Sequence, residues 1–252
     1  MGIEKPDENY CYSRDNQHIE IFWLDASVSG QSESQFRDIK AGIMRRHEGA
    51  EPNTIFHGFA SFADTNGSIP VPEFTLCKPP ATPEQQASIN APKENSARLL
   101  NRALEAKEGY ESRVDKLLQD AQNADKLAND SPILEQVKAI SMAPEFQGPS
   151  RGLQLITDGI QRSINAGSFC ARKNIMIPFQ MFKNRSNYET DLKPQSLINT
   201  HVEVLLVEFG ELPSAALPFC TTSERRNWYR DFMNGNDAAS VVITPLQYWG
   251  AR

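Results

Sequence analysis

Apolar positions along the chain fall into short unbroken runs separated by stretches with helical spacing. The first run, Ile19, Ile21, Phe22, Trp23 and Leu24, ends on Asp25 and is followed by Ser27 and Ser29. Such a run reads as a buried strand over 18–25 that delivers an acid to its carboxyl end. Phe36, Ile39, Ile43 and Met44 then lie on one face of a helix, with Ser32 or Ser34 as its cap. Residues 54–62 read as a second strand, and Asp64-Thr65-Asn66-Gly67 as a hairpin turn. Residues 69–76 would return antiparallel as an edge strand, since Pro70 and Pro72 suit only an edge.

Residues 77–95 carry breakers and a short helix start at Thr82-Pro83-Glu84. From 96 to 127 the apolar stripe that includes Leu99, Tyr110, Val114, Leu117, Leu118 and Ala121 predicts one long helix or two consecutive ones. The heptads are not sustained, so the stripe is expected to cover the sheet and not to form a zipper. Ser131-Pro132-Ile133-Leu134-Glu135 predicts a helix to about 142, with Ser131 as cap and Pro132 at the first position. A second strand ending on an acid follows, Leu153-Gln154-Leu155-Ile156-Thr157-Asp158. Residues 160–171 are expected to hold a short helix, and 173–200 form a polar excursion. A strand at 201–209, a helix at 223–233 carrying Trp228 and Tyr229, and a last strand at 240–243 complete the chain. Strands alternating with helices predict an α/β fold with parallel strands and one antiparallel edge.

Composition narrows the function classes. With 26 Lys and Arg against 32 Asp and Glu, the net charge is −6 and the pI about 5.3. A mildly acidic chain argues against a nucleic-acid binder. No apolar run reaches the roughly 18 residues that span a bilayer. The polar residues 1–17 lack the apolar core of a signal peptide, which reads as cytoplasmic. Cys11, Cys77, Cys170 and Cys220 are widely separated, with no histidine at zinc-ligand spacing, and read as small buried thiols.

The pattern Asp25-x-Ser27-x-Ser29 resembles the first metal motif of von Willebrand factor A (VWA) domains. Three hard oxygens within five residues suit a hard divalent cation. Asp158 matches the aspartate that ends strand four in that family, and Ser131 stands where the family has a threonine. The strand order also resembles the family's. The resemblance implies a three-layer, Rossmann-like, mostly parallel sheet with one antiparallel edge strand. It implies a single domain over 1–252, with a helical insertion at about 78–128 and a polar one at about 173–200. It further implies a MIDAS-type site of Asp25, Ser27, Ser29, Ser131 and Asp158, holding Mg2+ (or Mn2+ or Ca2+). The serines would ligate directly, and a protein partner's acidic side chain would complete the shell. The expectation is a non-enzymatic, bacterial, cytoplasmic adaptor with no membrane or nucleic-acid partner and no catalytic residue. Each site residue also has a plain role as a cap or turn former.

Two other functions compete with this one. A metal-independent scaffold could act through the 78–128 helices. A Mg2+-dependent hydrolase or phosphotransferase could use Asp25 as nucleophile. Against the latter, Ser27 stands where aspartyl phosphatases carry a second aspartate, and neither a phosphate loop nor a Gly-x-Ser-x-Gly elbow is present.

Overall fold

A computed structural model describes residues 5–12, 17–25, 27–28, 31–61, 71–123, 131–170, 176–207 and 220–246. Its sheet has six strands, ordered β3 (Phe74–Cys77), β2 (Ile55–Ser61), β1 (His18–Asp25), β4 (Ser150–Thr157), β7 (Thr200–Leu206) and β8 (Ser240–Pro245). Every neighbouring pair is parallel except β2 with β3. Helices flank both faces, giving the Rossmann-like, VWA-like architecture that the pattern predicts.

The central strands are buried on both faces, which is why they read as unbroken apolar runs. Ile19, Ile21 and Trp23 of β1 face α4 (Ile133–Met142) and α6 (Thr222–Asn234). Phe22 and Leu24 point the other way, towards α1 (Glu33–Gly49) and α3 (Ser96–Asn123). Ser32 caps α1 in a capping box with Gln35, and Thr82 caps α2 (Pro83–Ser88) with Pro83 in its first turn. The long helix is a single element to Asn123, and its stripe supplies Tyr110, Val114, Leu117, Leu118 and Ala121 to the core. His47 stacks on Tyr110 at 4.3 Å between ring centroids. Burial, with Lys78 and Lys107 nearby, pushes its pKa down to about 4.

Across β1, β4 and β7, Arg46 of α1 bonds Glu20 at 2.6 Å and Glu203 at 2.9 Å, and Gln154 donates to Glu203 at 2.9 Å. Gly152 leaves room for the first of these pairs, since a Cβ there would collide with Glu20 Oε2.

Three expectations change. Residues 160–170 form no helix. They hold a small antiparallel ribbon, β5 (Arg162–Ser163) with β6 (Gly167–Ser168), and Gly167 opens β6 just after the turn at φ +83°. The polar excursion at 173–200 contains a short helix, α5 (Phe179–Phe182), and a π-turn at Tyr188–Leu192. Phe169, Phe179, Phe182 and Trp228 pack there edge to face. The cysteines are not free thiols. Cys11 is bonded to Cys77 and Cys170 to Cys220, with Cα atoms 5.0 and 5.1 Å apart. Structural disulfides are rare in the cytosol, so the pairing weighs against the cytoplasmic expectation. The expected turn at Asp64–Gly67, part of the predicted edge strand and residues 124–127 of the predicted helix lie outside the described residues. Among the described residues no helix is long and apolar enough to cross a membrane.

Candidate metal centre

The site is assembled at the carboxyl edge, where β1 and β4 run side by side. Asp25 is the last residue of β1 and has no exposed surface. Thr157 ends β4, and Asp158 follows it, only 2% exposed. The crossover into β4 brings the start of α4, and with it Ser131, to the same edge. Asp25 Oδ2 accepts from three hydroxyls: Ser27 at 2.5 Å, Ser131 at 2.9 Å and Thr157 at 2.8 Å. Ser27 Oγ also accepts the backbone N–H of Asp158 at 3.0 Å. The structure thus brings together Asp25, Ser27, Ser131 and Asp158, while Ser29 lies outside the described residues.

Ser131 departs from its expected local role. Pro132 occupies the N-cap position of α4, with no side-chain cap of its own. Gln161 caps the helix instead. Its Oε1 accepts the Leu134 N–H at 2.8 Å, and its Nε2 donates to Glu135 at 2.9 Å. The Ser131 backbone meanwhile pairs with Arg162, N–H to carbonyl in both directions at 2.8 Å. The hydroxyl is therefore left for Asp25. Sequence reasoning missed Thr157, hidden as an ordinary strand residue, and Gln161, which a helix-start pattern cannot reveal because it lies 27 positions from its partner.

Two carboxyl groups share this buried edge. Burial, and then Asp25 beside it, push the Asp158 pKa up to about 7; the Ile160 N–H, Arg162 and Arg225 oppose the rise. Ile160 N–H donates to Asp158 Oδ1 at 2.7 Å. Arg225 of α6, buried itself, donates to the Asp158 carbonyl. Its helix start is fixed by a Thr221–Glu224 capping box.

The donor set fits a hard divalent cation. Each hydroxyl spends its single proton on Asp25 and keeps lone pairs for a second interaction. Two acids and neutral oxygens are the ligand types that Mg2+ and Ca2+ take. Among the described residues no group of three or more His, Cys, Asp or Glu comes together at metal-binding spacing.

No protein-family model matches the chain, and no curated protein matches it. Among solved structures, proximal thread matrix protein 1 from the mussel byssus superposes with a TM-score of 0.42 at 12% identity, over 93% of this chain and 44% of that one. A second crystal form gives 0.40 at 11%, over 94% and 46%. A third structure, described as having a zinc-occupied MIDAS motif, gives 0.36 at 13% over the same shares as the second. The chain thus spans less than half the length of the protein it matches. A superposition this loose fixes no residue-by-residue correspondence.

Gly159 fixes the path of the chain just beyond Asp158. Its φ is +71°, and an added Cβ would lie 2.9 Å from Leu206 Cδ2 and 3.3 Å from Tyr229 Cε2. Gly159→Ala is expected to destabilise the chain by about 1–3 kcal/mol, from the left-handed backbone and the crowding together. Chemical denaturation of the variant measures this, and an unchanged midpoint would refute it.

Proposed function

We propose that residues 1–252 form a VWA-like domain serving as a non-enzymatic, divalent-cation-dependent protein-binding module. Asp25, Ser27, Ser29, Ser131 and Asp158 hold the cation, Mg2+ in the first instance and Mn2+ or Ca2+ as substitutes, and Thr157 joins them by orienting Asp25. The observation that carries the reading is the single Asp25 oxygen gathering hydroxyls from three separate segments beside a second buried acid. An acidic side chain of a protein partner would supply a further oxygen, as such cations accept.

A holding role suits Asp25 better than a nucleophilic one. The residue is buried, and three O–H donors tie its Oδ2 into the site. A scaffold acting through the helices at about 78–128 would have to use what α3 leaves outside, Leu100 and Leu104, because Tyr110, Val114, Leu117, Leu118 and Ala121 are committed to the core. The two disulfides favour an oxidising compartment outside the cytoplasm for this binding.

Asp25→Ala is expected to abolish Mg2+ binding in a calorimetric titration while the far-ultraviolet dichroism stays that of the parent. Unchanged Mg2+ affinity in the variant would overturn the assignment. Capture of partners with and without chelator tests the second half of the reading. A partner retained equally in both would show that the cation is not needed.

A further inference from the structure

Helix α6 turns two side chains towards the loop after β4, one helical turn apart. Arg225 reaches the carbonyl of Asp158. Tyr229, four residues on, lies on the same face. It has no exposed surface, and its hydroxyl has no hydrogen-bond partner among the described residues. A buried hydroxyl left without a partner costs about 1–3 kcal/mol. The rest of the ring is well used, packing against Trp228 at 5.4 Å between centroids and within the core cluster of α4 and α6. Packing accounts for the ring and leaves the oxygen unexplained.

One edge of the ring lies against Gly159, beside the candidate centre. Tyr229 Cε2, the ring atom next to the one that carries the hydroxyl, would be 3.3 Å from a Cβ placed on Gly159. Gly159 is the residue after Asp158. Burial raises the phenol pKa well above its usual value, and the negative charges of Asp158 and then Asp25 add to the rise. A phenol kept neutral can only serve as an O–H donor towards such carboxylates.

We propose that Tyr229 is a positioning residue of the metal centre, whose O–H donates to the Asp158 carboxylate when a cation is bound. This rests on the reading of Asp25 and Asp158 as cation ligands. The hydroxyl would act as an outer partner, holding a ligating acid in one orientation and offsetting its charge within a buried site. It would also explain why α6 carries both Arg225 and Tyr229 over a glycine: the arginine fixes the main chain of Asp158 and the tyrosine its side chain.

The test uses the full chain and Mg2+ alone as the probe, with wild type, Tyr229→Phe and Asp25→Ala compared by calorimetry. Tyr229→Phe keeps the ring and its packing. It is expected to weaken Mg2+ binding roughly tenfold to a hundredfold, the scale of one hydrogen bond to a charged group. Its unfolding temperature without divalent cation should not fall. In wild type, Mg2+ should change the near-ultraviolet tyrosine spectrum in the manner of a phenol gaining an acceptor, and this change should vanish in Tyr229→Phe. If wild type and Tyr229→Phe bind Mg2+ equally while Asp25→Ala does not, the role of Tyr229 is overturned and the centre stands. If wild type binds no Mg2+, both are overturned.

Discussion

Reducing both disulfides is expected to remove roughly 4 kcal/mol of stability per bond, the loop-entropy scale for closures of this length. Cys11–Cys77 closes a separation of 66 residues and Cys170–Cys220 one of 50. A domain whose net stability is about 5–15 kcal/mol does not absorb the loss of both easily. Denaturant titrations with and without reductant check the total, and equal midpoints would exclude it. The two bonds should separate in a second measurement. Cys220 directly precedes the cap of α6, and Cys170 follows the ribbon that pairs with Ser131. The pair Cys170→Ser, Cys220→Ser should therefore weaken Mg2+ binding, whereas Cys11→Ser, Cys77→Ser should lower stability alone.

Without a divalent cation, Asp158 should contribute a loss of stability as the pH rises from about 4 to 7. A gain from His47 between about 4 and 6.5 is set against it, so that the Asp158 part is read as the difference between wild type and Asp158→Asn. The pKa of Asp158 in the folded chain is about 7, against roughly 3.9 unfolded. Its contribution is therefore complete below about pH 4 and lost as the pH climbs through 7. His47 works in the opposite sense. Its folded pKa of about 4 lies below its ordinary value of 6.5, so its contribution is complete above 6.5 and lost as the pH falls through 4. Asp158→Asn should keep only the loss on the acid side. Mg2+ should raise the unfolding temperature at pH 8 and much less at pH 5, where a proton competes for the carboxylate. Unfolding temperatures from pH 4 to 9, in chelator and in Mg2+, read all of these. A chelated wild type indistinguishable from Asp158→Asn throughout would show that Asp158 is not protonated in the fold.

The strands that present the site are legible in the sequence because each is buried on both faces and stops at an acid. The run from Ile19 to Asp25 and the run into Asp158 can be read without a partner in view. The helix after Ser131 is legible from its Pro132 and its apolar spacing, yet the role of the serine itself is not. A cap is a local inference, and the group that does the capping, Gln161, comes from the far side of β4. The ribbon at Arg162–Ser168 gives no signal, since two-residue strands are too short for alternation to appear and their stability comes from bonds to Ser131 and Glu135. The set of Glu20, Arg46, Gln154 and Glu203 is equally hidden, because the fold brings together positions 26, 49 and 157 residues apart. Pairing of the cysteines cannot be deduced either, because four cysteines permit three connectivities.

The first disulfide has a consequence for association between molecules. β3 is the outermost strand on its side, and such a margin is a template for another chain. Here the Cys77 N–H is taken by the Asn9 carbonyl at 2.8 Å, and Cys11, two residues on, is covalently bonded to Cys77. The segment covering that margin cannot peel away while the bond is intact. One cysteine pair thus acts as a guard against strand exchange and edge-to-edge polymerisation, and reduction would open the sheet to growth at the side furthest from β8.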